Sequence, residues 1–168
     1  MRIEGKHWRS IWVEKDSHSI GVIDQTKLPF EFATCSLQSC EDVINAIRLM
    51  IVRGAPLIGV AGGYGLMLAI KEDPSDKAID LAMERLCATR PTAINLDWAI
   101  KRICKKVKPL SLHLRFDAAR NEANSILEED INMCRQIASY GCYLIEEIIA
   151  SRKKKDINKP INILTHCN

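Results

Sequence analysis

Aromatic side chains are scarce in this chain: Phe, Trp and Tyr together make up 5% of its 168 residues. Aliphatic side chains and alanine must therefore fill any core. No two cysteines stand at C-x-x-C spacing, which excludes the commonest zinc and dithiol motifs. His7, His18 and His113 show no metal-ligand spacing either. The longest apolar run, Pro56 to Ile70, is too short and too rich in glycine to span a bilayer. The first residues, MRIEGKHWRS, hold no apolar stretch of the kind that a secretory leader needs. Charge of one sign is also lacking. The net charge is only +3 and is spread along the chain, whereas nucleic-acid binders gather a basic face. The one basic run, Arg152-Lys153-Lys154-Lys155, follows an apolar-periodic stretch and reads as a solvated helix end. Internal repeats and low-complexity segments are absent. These features together predict a cytoplasmic protein with no membrane and no nucleic-acid partner.

Hydrophobic residues make up 47% and charged residues 27% of the chain, ordinary values for a globular protein with a core of useful size. There are seven cysteines. Cys35, Cys40, Cys87, Cys104, Cys134 and Cys142 read as reduced thiols, most of them small core residues.

The first thirty residues read as β. Ser10 to Val13 and Ser19 to Ile23 are short, partly alternating runs around a polar turn. Asp24-Gln25-Thr26-Lys27-Leu28-Pro29 follows as a loop. From Ser39 the pattern becomes helical. Ser39 and Asp42 have capping-box spacing, and Val43, Ile44, Ile47, Met50 and Ile51 recur at helical intervals. Arg53-Gly54 should end that helix. Pro56 suits the first turn of the next. Leu57 to Ile70 is apolar almost all round and reads as a central buried helix. Its four glycines each cost about 1 kcal/mol against alanine. A third helix carries Ile79, Ala82, Met83, Leu86 and Cys87 and should stop before Pro91. Thr92 is placed to cap a fourth, carrying Leu96, Ala99, Ile100, Ile103 and Val107. Phe116 to Ala150 is helical again, as two helices or one bent helix. Ile161 to Thr165 reads as a strand with His166-Cys167-Asn168 at its carboxyl end. A strand needs neighbours for its backbone groups, so it suggests a second, strand-rich domain.

Three segments are candidates for chemistry. Arg53-Gly54-Ala55-Pro56 joins two helices. Free N–H groups at a helix start form an anion site, and an arginine adds a fork of donors. The bland alternative is a glycine helix stop beside a solvated arginine. Thr89-Arg90-Pro91-Thr92 repeats the theme, with a capped helix after an exposed arginine as its bland alternative. Cys167 sits where open α/β sheets bind their ligands, or is simply a core cysteine. His166 alternates to the other side of the expected strand, so the two do not make a Cys–His pair.

These segments resemble the motifs of one family. Arg53-Gly54-Ala55-Pro56-Leu57-Ile58-Gly59-Val60-Ala61, followed by Tyr64-Gly65, resembles the RGAPAIGVAAAYG signature of methylthioribose-1-phosphate isomerases. Ala88 to Leu96 resembles their ATRPTAVNL segment. Asp24 to Pro29 matches their DQTKLP loop, and Leu164 to Asn168 the start of LTHCNAG. The four motifs occur in order over nearly the whole chain.

The resemblance implies a mainly α fold: a small N-terminal antiparallel β piece, a helical bundle, then the first strand of a Rossmann-like α/β domain that is otherwise missing. The implied division is 1–158 and 159–168. It implies conversion of 5-methylthioribose 1-phosphate to 5-methylthioribulose 1-phosphate in methionine salvage, with no metal and no organic cofactor. Arg53, Gly54, Ala55 and Arg90 match family substrate contacts, and Cys167 matches the catalytic cysteine. The family's catalytic aspartate and further substrate-binding residues have no counterpart here, so this chain alone is expected to be inactive. The implied partner is a second copy in a homodimer, or a complementing C-terminal chain. Asp97 stands where the family often has an apolar or aromatic residue, and Gly62 and Gly63 where it often has alanine, which should loosen the central helix. Two alternatives share the superfamily: regulatory subunits of the translation initiation factor 2B type, and ribose-1,5-bisphosphate isomerase.

Overall fold

The computed structural model describes residues 2–15, 18–152 and 159–166. They form two compact units, Met1–Glu128 and Glu129–Asn168.

The first unit opens with a two-stranded ribbon, β1 (Arg2–Ile3) and β2 (Lys6–His7), turned by Glu4 and Gly5 at positive φ. A three-stranded antiparallel sheet follows, with β3 (Ile11–Val13), β4 (Ile20–Ile23) and β5 (Thr34–Leu37) in that order. The two expected strands are β3 and β4. The ribbon and β5 are additions that weak local alternation did not announce. Every residue of β4 is buried. Gly21 is required there because the Trp12 indole, opposite it in register, occupies the space a side chain would need.

Helix α1 (Cys40–Arg48) begins at the expected capping box. The Asp42 N–H donates to Ser39 Oγ at 3.1 Å, and the Ser39 N–H donates back to Asp42 Oδ2 at 2.9 Å. Its end departs from the expected one. The helix stops at Leu49 rather than at Arg53-Gly54, and Met50 turns the chain at φ 60°. The early stop lets Val52 bury and brings the Ile51 carbonyl to the Gln25 N–H, 3.0 Å away. A long-range contact thus overrides the helical periodicity of Met50 and Ile51.

Helix α2 (Ala55–Glu72) is the central buried helix, with Pro56 in its first turn. Helices α3 (Asp76–Cys87) and α4 (Ile94–Val107) pack on it, and α5 runs unbroken from Leu112 to Ala150. The region beyond Phe116 is therefore one helix, beginning four residues before the expected start. The glycines of α2 face neighbours. Gly62 lies against Leu96 and Ile100, Gly63 against Ile103, and Gly65 against Val43 and Leu86. In each case the missing side chain admits an aliphatic one from a partner.

Arg115 of α5 is 5% exposed and ties two loops to the bundle. Its guanidinium donates to the carbonyls of Pro74, Lys108 and Leu110 at 2.7–2.9 Å and to Asp76 Oδ1 at 2.6 Å.

In the second unit, the part of α5 beyond Glu128 is largely exposed. The expected strand Ile161–Thr165 has no regular structure. No strand lies beside it among the described residues to take up its backbone groups, and Leu164 is 98% exposed. The cysteines also depart from expectation in part. All six described are free, but only Cys40 and Cys104 are buried, while Cys134 and Cys142 are exposed. Among the described residues, no helix is long and apolar enough to cross a membrane.

Candidate functional site

The starts of α1 to α4 divide into two pairs. Ser39 and Ser75 cap α1 and α3 by accepting from first-turn N–H groups. The caps of α2 and α4 are Gly54 and Ala93, and neither makes a side-chain hydrogen bond. A helix start without a side-chain cap keeps its first N–H groups available to another acceptor. These two starts are the ones that follow Arg53 and Arg90.

Gly54 holds φ 100° and ψ 132°. A Cβ there would meet nothing within 4 Å, so the demand for glycine is conformational, not steric. Arg53, Gly54, Ala55 and Pro56 are all exposed. The Asp24 to Pro29 loop lies next to this turn through the Gln25 hydrogen bond to Ile51. Asp24 Oδ1 shapes that loop by accepting from the Thr26 N–H at 3.0 Å and the Thr26 hydroxyl at 2.6 Å.

At the second start, Thr92 is not the cap. The Ala93 N–H bonds the Arg90 carbonyl at 2.9 Å, closing a turn that moves the cap one residue onward and leaves Thr92 exposed. Thr89 instead finishes α3, its hydroxyl donating to the Leu86 carbonyl at 2.6 Å. Arg90 is half-buried and lines a cavity of about 300 Å³ with Cys87, Pro91, Ala93, Leu96 and Asp97. Asp97 in turn holds Lys101 at 2.8 Å. Burial, and secondarily the Asp97 carboxylate, push the Cys87 thiol above its ordinary range, so it stays protonated. Cys87 did not stand out as a site residue, because it occupies an ordinary amphipathic position, and Asp97 stood out only as a departure from the family's usual apolar or aromatic residue.

The two starts share one end of the α2–α4 pair. Gly59, Gly62 and Gly63 of α2 face Asn95, Leu96 and Ile103 of α4 in that order. Contacts that advance in the same direction along both helices mean that the helices run parallel. Near the starts themselves, a Cβ on Gly59 would lie 2.8 Å from the Asn95 carbonyl oxygen. Two positive dipole ends therefore point the same way, each with an arginine just before it. Cys167 lies outside the described residues. Among the described residues, no group of three or more His, Cys, Asp or Glu side chains is placed to hold a metal ion.

A small β piece followed by a helical domain, with two parallel helix starts that lack side-chain caps and each follow an arginine, is the class of fold present. The chain belongs to the initiation factor 2 subunit family, which matches it over residues 51–168. Relatives include the methylthioribose-1-phosphate isomerases of Rhodospirillum centenum and Escherichia coli O45:K1. Each is 46% identical over all 168 residues, which cover 44% of the relative's own length. The chain thus spans less than half the length of these relatives. Two solved structures are also similar. The translation initiation factor eIF-2B subunit delta from A. fulgidus has a TM-score of 0.68 at 32% identity, over 74% of this chain and 38% of its own. The 5-methylthioribose 1-phosphate isomerase from Pyrococcus horikoshii OT3 has a TM-score of 0.67 at 36% identity, over 74% and 37%. The mainly α fold with its N-terminal β piece is the one these neighbours share.

Proposed function

We propose that this chain supplies the phosphate-gripping part of a methylthioribose-1-phosphate isomerase. The observation that carries the reading is the pairing of α2 and α4. Their uncapped starts, each behind an arginine, share one end of the pair. A sugar phosphate is a dianion near neutral pH, and guanidinium forks with open backbone N–H groups are its natural partners. In this reading Arg53, Gly54, Ala55 and Arg90 bind substrate. The reaction breaks the bond between C1 and the ring oxygen, moves hydrogen from C2 to C1, and turns the C2 hydroxyl into a ketone as its proton passes to the freed C4 oxygen, so the atoms balance without a further reactant. The Cys167 thiol would assist that transfer, and closure of the pocket would keep water from it. Residues 1–158 would form the helical domain and 159–168 the beginning of an α/β domain. A homodimer is the expected assembly.

Titration calorimetry with 5-methylthioribose 1-phosphate tests the binding half of this reading. Arg53→Ala and Arg90→Ala should each weaken binding by about tenfold or more, the loss expected for one charge-assisted contact. The chain alone should show no isomerase turnover. Mixed with the remainder of the Rhodospirillum centenum relative it should show turnover, which Cys167→Ser abolishes without changing affinity. Binding that ignores both arginines would overturn the assignment.

One observation favours a second reading, a regulatory subunit that only binds. The eIF-2B delta subunit matches the fold as well as the isomerase does. Fold likeness therefore does not discriminate, and the 46% identity to isomerases favours catalysis. Binding of an initiation factor in place of the sugar phosphate would reverse that preference.

A further inference from the structure

Arg53 is exposed and stands in a short segment of unusual backbone. Met50 at φ 60° and Gly54 at φ 100° bracket Ile51, Val52 and Arg53 between two left-handed residues. Glycine takes that conformation freely. At Met50 the side chain crowds the backbone, and such a turn persists only where its surroundings enforce it. Three contacts hold the segment. The Val52 side chain is buried, its N–H donates to the Ala46 carbonyl at 3.2 Å, and the Ile51 carbonyl accepts from the Gln25 N–H at 3.0 Å. The first two come from the core and from α1 just before. The third comes from a distant part of the chain.

Gln25 is itself held by its neighbours. Asp24 Oδ1 reaches over it to accept from the Thr26 N–H at 3.0 Å and the Thr26 hydroxyl at 2.6 Å. The Lys27 N–H donates to the Asp24 carbonyl at 3.4 Å, on the same peptide that carries the Gln25 N–H. The Asp24 N–H donates to the Ala33 carbonyl at 2.9 Å and closes the loop behind it. These bonds limit how the Asp24–Gln25 peptide can turn. The charge of Asp24 has the wrong sign to help directly, because a carboxylate near an anion site opposes binding.

We propose that Asp24 is a positioning residue for Arg53. It aims the Gln25 N–H at the Ile51 carbonyl and so sets where the Arg53 guanidinium meets a phosphate. The ligand in this inference rests on the sugar-phosphate reading, whereas the backbone arrangement does not.

Calorimetry with 5-methylthioribose 1-phosphate and amide hydrogen exchange by NMR test it on the full chain, with circular dichroism to check folding. Asp24→Ala should weaken binding about fivefold or more, the loss expected for one well-placed hydrogen bond. It should also speed exchange of the Gln25 amide about tenfold or more. Charge alone predicts tighter binding in that variant. Asp24→Asn keeps the acceptor oxygen without the charge, so it should bind at least as tightly as the parent chain. The effect must also pass through Arg53. Asp24→Ala should add nothing in an Arg53→Ala background and keep its full effect in an Arg90→Ala background. Thr26→Val removes the hydroxyl bond alone and should weaken binding about twofold, a second route if Asp24→Ala does not fold.

If Arg53→Ala weakens binding but Asp24→Ala does not, or if Asp24→Asn loses as much as Asp24→Ala, the proposal is overturned and the sugar-phosphate reading stands. If Arg53→Ala changes nothing, that reading fails at this arginine. Exchange then decides the backbone claim by itself: faster exchange at Gln25 and Val52 in Asp24→Ala supports it, and unchanged exchange overturns it.

Discussion

Gly59 of α2 sits directly beneath the backbone carbonyl of Asn95 in the first turn of α4, so close that a Cβ would stand 2.8 Å from the oxygen. A carbonyl in a helix cannot swing aside as a side-chain end can. Gly59→Ala should therefore lower stability by about 1–3 kcal/mol, despite the roughly 1 kcal/mol that alanine gains in helix propensity. Gly63→Ala meets only the tip of Ile103 at 3.1 Å and should be near neutral. Urea unfolding of both variants measures the contrast. Because Gly59 also sets the spacing of the two helix starts, its variant should bind sugar phosphate more weakly, and the Gly63 variant should not.

Cys40 introduces a dependence on high pH. Burial, partly offset by Arg85 and reinforced by Glu41 and Glu72, raises its thiol from 9.0 to about 11. The folded state disfavours the thiolate, so this contribution is complete below pH 9 and fades as pH rises toward 11. At about 1.4 kcal/mol per pKa unit, the full loss is on the order of 2–3 kcal/mol. The buried Tyr64 phenol, raised for the same reason, extends the decline upward. Melting temperatures between pH 8 and 10.5 should fall, and Cys40→Ala should flatten the early part of that fall.

The Arg115 fork serves three carbonyls and a carboxylate from one side chain. Arg115→Ala leaves those carbonyls without their donors and should cost about 3 kcal/mol. Arg115→Lys should recover little, because an ammonium cannot reproduce the planar geometry. Chemical denaturation of both variants decides this, and full recovery in the lysine variant would show that charge alone suffices.

The capping box at α1 gives an acid-side prediction. Burial works to raise the Asp42 carboxyl, but the Gln38 and Ser39 N–H groups and the Ser39 hydroxyl outweigh it, and the net shift is downward. Stability from a lowered carboxyl is present above the ordinary aspartate range and is lost as pH falls through the folded value. Asp42→Asn should therefore cost about 1 kcal/mol near pH 7 and converge with the parent chain in acid. Stability curves from pH 7 to 3 provide the check.

Local rules were reliable where one short segment holds both partners of an interaction. Ser39 and Asp42 lie three residues apart, and the box they predict forms. Pro56 likewise stands in the first turn of α2. The same rules failed where a distant group decided. Met50 and Ile51 have helical spacing, yet the chain turns there so that Ile51 meets Gln25. Thr92 is a different case, since a competing local turn, closed by the Ala93 N–H on the Arg90 carbonyl, takes the chain past it. Arg115 was invisible because its partners at Pro74 and Asp76 lie far away in the chain.

Taken alone, the order of residues determined which segments become helices, which turns carry arginine and glycine, and to which family the chain is kin. Those properties depend on side-chain chemistry and spacing along a few turns of backbone. Only the folded packing decided that α2 and α4 run parallel with their open starts at one end. That outcome depends on glycines matched to aliphatic tips and one carbonyl some thirty-odd residues away, a complementarity of shape with no local trace.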